Sequence, residues 1–154
     1  MAMTTAAAHA LALLIFNNTN WANVGDATGL RGSTVAGSFW LNIATADPGV
    51  SGTQSTSEAN YTGYTGAGAR QSIARSGAGF AVGTGGAVSN AALISFGACT
   101  AGTNQITYQG LGTDQTGAGN LIVSGAVTSP VGGLAVSAGI TPQYNVGALT
   151  ITVS

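Results

Sequence analysis

The clearest alternation of apolar and polar positions runs from Phe39 to Ala44, where Phe39, Leu41 and Ile43 interleave with Trp40, Asn42 and Ala44. A period of two sends one set to a core face, so a strand is predicted over Thr34–Thr45. Asp47-Pro48-Gly49 ends it, because Pro48 presets φ for a turn and Gly49 tolerates left-handed backbone angles. The following run of Ser, Thr, Gln and Asn closes on Tyr61 and Tyr64, and a long polar loop is predicted from Asp47 to Tyr64. Further strands are predicted at Ala69–Ser76 (which holds Arg70 and Arg75), Phe80–Val82, Ile106–Gln109, Leu121–Thr128, Leu134–Ser137 and Ala148–Val153, with Ala92–Phe96 buried. Gly83-Thr84-Gly85-Gly86, Gly66-Ala67-Gly68 and Gln115–Gly119 read as turns, since neither glycine cluster has the lysine or the strand–helix context of a phosphate loop.

One segment has the other period. In Ala6–Phe16, Leu11, Leu14 and Ile15 share a helical face with Ala7 and Ala8 one turn earlier. Thr4 or Thr5 can cap the start and Asn17–Asn20 can end it, giving a helix of about three turns. No Lys or Arg precedes it and the small-residue cleavage pattern is poor, so it is read as a helix docked on the sheet or on a neighbour, not as a signal peptide. It is too short for a membrane span. Trp21–Ser33 reads as a loop anchored by Trp21, Val24 and Leu30, with Asp26 and Arg31 as a charge pair.

About eight strands separated by turn signals, with no helical pattern between them, predict an all-β fold. The expected architecture is an antiparallel two-sheet sandwich of jelly-roll or Greek-key type with one short N-terminal helix. A single domain over 1–154 is expected, with the helix in 1–20 and the sandwich in 34–154.

Charge sharpens this picture. Only seven of 154 residues are charged: Arg31, Arg70, Arg75, Asp26, Asp47, Glu58 and Asp114. An average domain of this length carries roughly a quarter. Three scattered arginines and a net charge of −1 give no basic stripe for nucleic acid. So neutral a surface puts little repulsion in the way of association, and a subunit packed against others is expected. The lone Cys99, in ALISFGAC, reads as a small buried hydrophobe and allows no internal disulfide.

Candidate chemistry is thin. His9 is the only histidine and sits among alanines on the helix; Asp47, Glu58 and Asp114 lie in separate loops and offer no placed carboxylate pair. One His and one Cys without ligand spacing exclude a single-chain zinc site. No enzyme, cofactor or metal is expected. Large rings with a polar handle suit interfaces, and Trp21, Tyr61 and Tyr64 are the candidate interface residues.

The run ATADPGVSGTQSTSEANYTGY, the Arg70/Arg75 strand and the tail SGAVTSPVGGLAVSAGITPQYNVGALTITVS resemble a family of small virion proteins of tailed bacteriophages. Leu13-Leu14-Ile15-Phe16-Asn17 before Trp21 fits the same family. The chain also looks like the cement (decoration) proteins on podophage capsids, in which a jelly-roll subunit pairs and bridges neighbouring major capsid proteins. That resemblance implies a non-enzymatic virion protein, assembled in the host cytoplasm, with the major capsid protein and a second copy of itself as partners and with neither nucleic acid nor membrane. The alternative it leaves open is a tail-associated or tail-fibre receptor-binding module, with the Asp47–Tyr64 loop facing a host glycan. A small polysaccharide-degrading enzyme is the reading from a different class.

Overall fold

The computed structural model describes residues 2–22, 24, 32–64 and 69–153. Gly25, Asp26, Gly29, Leu30, Arg31 and the Gly66-Ala67-Gly68 turn lie outside the described residues. Among the described residues one helix and eleven strands appear. Every ladder whose register is described is antiparallel. The all-β class with one short N-terminal helix is therefore what the alternation predicts.

The helix α1 covers Thr5–Asn17. Ala and Leu favour it intrinsically, and Thr4 caps it, its Oγ1 accepting from Ala7 N at 3.2 Å. Asn18 ends it in the left-handed region at φ 53°, which asparagine tolerates. The buried face is Ala8, Ala12 and Phe16, not the expected Leu11, Leu14 and Ile15, which are only half-buried. Small side chains decide this: Ala8 meets Gly86, where an added Cβ would lie 3.2 Å from that of Ala8.

The strands are β1 Ser38–Ala44, β2 Gln71–Ala74, β3 Phe80–Val82, β4 Ala87–Asn90, β5 Ile94–Ser95 and β6 Asn104–Ile106. They continue with β7 Tyr108–Gly112, β8 Leu121–Ala126, β9 Leu134–Val136, β10 Gln143–Tyr144 and β11 Thr150–Thr152. The sheets run β2-β1-β7-β8, β11-β4-β3, β6-β9 and β5-β10. The single strand expected at Ile106–Gln109 is two strands in different sheets. Thr107 is the switch, its N–H donating to Ala44 O and its Oγ1 to Thr45 O.

Contacts cluster into two compact units. The first comprises 1–38, 73–94 and 144–154. In it α1 packs on β3, β4 and the 3-10 turn Thr84–Gly86, and Phe16 meets Phe80 edge-on with ring centres 5.1 Å apart. His9 Nδ1 lies 2.6 Å from Gly83 O, so Nδ1 carries the proton and the ring pins this turn to the helix. Buried Asn90 holds the last turn, accepting from Leu149 N and donating to Ala92 O and Asn145 O.

The second unit comprises 39–72 and 95–143. Its core joins Leu41, Ile43, Tyr61, Tyr64, Phe96, Ile106, Leu111 and Val136. Cys99 is buried there as expected, its thiol facing Ala101 O and Gly102 O.

Candidate binding cleft

The polar loop after Asp47 begins as its sequence dictates. Asp47 Oδ1 accepts from Gly49 N at 2.9 Å, and Gly49 takes φ 69°. It then departs from a solvent loop and folds back over β1. Gln54 is fully buried (0% exposed); its Nε2 donates to Trp40 O and its Oε1 accepts from Asp114 N. Its own backbone carbonyl takes a bond from the equally buried Asn42 side chain. This covers the second face of β1, which is why Asn42 is interior although the alternation places it outside.

Two glycines make the fit possible. A Cβ on Gly112 would lie 2.2 Å from Gln54 Cδ, and one on Gly110 would lie 2.6 Å from Asn42 Oδ1. Gly110-Leu111-Gly112 therefore belongs to β7, where a strand was not expected to continue.

The same folding brings Glu58 and Arg70 together. Arg70 is buried, with its side chain 3% exposed against 19% for Glu58. Nε donates to Glu58 Oε1 at 2.8 Å and one terminal nitrogen to Oε2 at 2.7 Å, a forked pair. The remaining donors reach Asp114 O at 3.0 Å and Gly117 O at 2.7 Å. The hydrogen bond it donates to Glu58 holds Arg70 still more firmly protonated, against the opposing effect of burial. Tyr64 completes the cluster: its hydroxyl donates to Glu58 Oε1 and accepts from Ile43 N. Burial, with the Glu58 charge second, pushes the Tyr64 phenol far above its ordinary range.

Above this pair opens a cleft of about 580 Å³. Its walls come from the end of the polar loop (Ser55, Asn60) and the β7–β8 turn (Gln115, Thr116), all exposed and neutral. Asn60 Oδ1 accepts from Asn104 Nδ2 at 3.0 Å. Such walls offer hydroxyl and amide partners to a neutral, hydroxyl-rich ligand. They offer no acid–base pair, because Glu58 is committed to Arg70 while Asp114 enters the cluster through its backbone and turns its carboxylate to Thr113 Oγ1.

The three rings expected at an interface separate here. Tyr61 and Tyr64 are interior, 1% and 2% exposed, with ring centres 5.5 Å apart, and Tyr64 also packs on Phe96 at 5.8 Å. That corrects the reading of both as surface residues: a Ser/Thr/Asn-rich neighbourhood signalled exposure, but the loop folds its two rings inward. Burial, and secondarily Cys99, pushes the Tyr61 phenol up to about 12. Trp21 is half-buried. Arg70 and Gln54 were missed as organising residues; an arginine in so uncharged a chain was the available signal for the first, and nothing local marked the second.

Residues 2–152 match the family described as podophage GP4 fiber I protein gp80. The chain belongs to that family. Membership makes it a podophage virion structural protein, as the sequence resemblance implied, but the family name is that of a fibre where the resemblance pointed to a shell cement. No curated protein matches the chain. Among the described residues, no helix is long and apolar enough to cross a membrane.

Proposed function

We propose that this chain is a non-enzymatic fibre subunit of a podophage virion, whose polar cleft meets a neutral saccharide of the host surface. The observation that carries the fibre reading is the family match over 2–152, whose description names a fibre. The cleft supports the second part: its free groups are uncharged hydrogen-bonding side chains above a rigid ion-paired floor, the few fixed polar partners a small-ligand site needs. Shell cement, with the major capsid protein as partner, shares the same sparsely charged surface, but no structural observation favours it over the fibre.

Counting copies per particle tests the location. Quantitative mass spectrometry of purified virions, referenced to the major capsid protein, is expected to give tens of copies, and antibody labelling to mark fibres. Hundreds of copies in simple ratio to the shell subunit would overturn the fibre reading. For the cleft, Thr116→Trp, which fills an exposed wall, is expected to abolish adsorption of virions to host cells while leaving particle assembly unchanged. Unchanged adsorption would remove the cleft from the function.

A further inference from the structure

The four-stranded sheet β2-β1-β7-β8 has two edges of unlike character. An edge strand presents a row of unpaired N–H and C=O groups, and natural sheets guard such rows with charge, proline or shortness. β2 is guarded: it is four residues long and is flanked in sequence by Arg70 and Arg75. β8 is not. From Asn120 to Thr128 the sequence NLIVSGAVT contains no charged residue and no proline. Among the described residues, no strand pairs with its outer side.

The direction of the free groups follows from one hydrogen bond. Val127 N donates to Thr107 O at 2.8 Å, toward β7. By the alternation of a strand, the N–H and C=O of Ser124 and Ala126 point the opposite way, off the sheet. Their side chains are small and exposed, so nothing bulky screens them. At the other end the β7–β8 register slips between Leu111 and Gly112, leaving Ile122 as an extra residue, 45% exposed. That bulge confines the regular edge to Val123–Ala126.

We propose that β8 pairs antiparallel with β8 of a second copy of this chain, joining the two sheets into one across a two-fold axis. The occupant must supply extended backbone, because backbone groups are what the edge leaves unpaired. A second copy fits because an antiparallel self-pair offers each strand the same donors and acceptors in return, and this edge carries no charge to repel its twin. The pairing holds whether the subunit stands in a fibre or on a shell, so it goes beyond the reading above.

The test is the solution mass of the purified full chain and its variants by light scattering. The native chain is expected at twice 14.9 kDa. Ser124→Pro removes an outward N–H, which an edge strand tolerates, and Ala126→Lys sets like charges against each other across the axis. Both are expected to weaken the dimer at least about tenfold with an unchanged circular dichroism spectrum. Ser72→Lys, on the guarded edge, is expected to leave it intact. Independently of those variants' folding, Gly125→Cys, at the residue the two-fold axis crosses when Ser124 pairs with Ala126 of the second copy, is expected to give a covalent dimer on oxidation, since a Cβ there meets nothing and native Cys99 is buried. A native chain that stays monomeric at every concentration, a dimer indifferent to both edge variants, or a dimer that Gly125→Cys does not cross-link would each overturn the proposal. A β8 dimer present at shell copy number would retain it and sink only the fibre reading.

Discussion

Arg70 and Arg75 stand at the two ends of β2, and each organises a different unit by different physics. In the second unit, buried Arg70 is matched to a carboxylate, with two backbone carbonyls taking further donors. In the first unit, half-buried Arg75 donates to backbone and hydroxyl oxygens: Ile15 O at 2.7 Å, Leu14 O at 3.1 Å, Ala36 O at 3.1 Å and Ser33 Oγ at 3.4 Å. The carbonyls of Leu14 and Ile15 belong to the last turn of α1, whose acceptors have no partner inside the helix and carry the negative end of its dipole. One arginine neutralises a buried charge; the other completes a helix. In a chain with three cations, this shows that charge is kept where backbone or carboxylate oxygens need a multidentate donor.

The difference predicts unequal costs. Arg70→Ala leaves Glu58 in a largely buried site without its cation and is expected to cost about 3–5 kcal/mol, read as a drop in the urea midpoint. Arg70→Met combined with Glu58→Leu removes both charges and is expected to cost less than Arg70→Ala alone. If the double variant is the less stable, the ion pair contributes more than its desolvation costs and Arg70 is no mere neutraliser.

The tyrosines beside that pair give the second unit an alkaline limit. Tyr61 titrates near 12 when folded against 10.0 for the free side chain, and Tyr64 is raised further. The unfolded chain therefore loses these protons first, so their stabilisation is complete below pH 10 and fades from pH 10 upward, for Tyr61 until about pH 12. Tyr144, in the first unit, is raised by burial in the same direction. The expected result is a urea midpoint that falls steeply above pH 10, and falls less steeply in Tyr61→Phe. An equal slope in that variant would mean that Tyr61 is already ionised in the folded chain or does not unfold with the transition.

How much of this was legible follows the same division. Local periodicity carries local structure: the alternation around Leu41 and Ile43 marks β1, the Thr4-Thr5 pair and the Asn17–Asn20 cluster mark the ends of α1, and Pro48-Gly49 marks the turn. What failed was long-range. Asn42 and Gln54 are interior because a distant loop lies over β1, and hydrogen bonds between residues twelve and sixty apart leave no periodic trace. The strand expected at Ile106–Gln109 ends before Gly110 and Gly112 because glycine weakens a strand pattern, whereas here it makes room for amide side chains. Short strands such as β4 and β10 exist by tertiary pairing, which propensity does not see. The cleft was half legible: the polar loop pointed to one wall, and nothing in sequence joined it to Gln115 and Thr116.

A smaller effect is expected at the other arginine. Arg75→Ala removes donors from carbonyls that water can reach in part, and should cost about 1–2 kcal/mol. Its signature is local. Amide hydrogen exchange should accelerate at Asn18 and Thr19, where Thr19 N closes the helix end on Leu13 O, and stay unchanged at Ala59 N, bonded to Ile43 O in the second unit. A loss as large as that of Arg70→Ala would erase the distinction between charge neutralisation and helix completion.

The smallest change addresses the other end of the same helix. Thr4→Ala deletes the hydroxyl that accepts from Ala7 N and should cost about 1 kcal/mol. No acidic residue stands in the first turn and no basic one in the last, so the side chains that serve the ends of α1 are Thr4 at its start and Arg75, brought from elsewhere in the chain, at its end, beside the backbone closure of Thr19 N on Leu13 O. If its two ends act independently, Thr4→Ala and Arg75→Ala should add to within about 0.5 kcal/mol. If α1 instead undocks as one body from the Gly86 turn, the second substitution will cost far less than the first, because the carbonyls and amides it deprives are already in water.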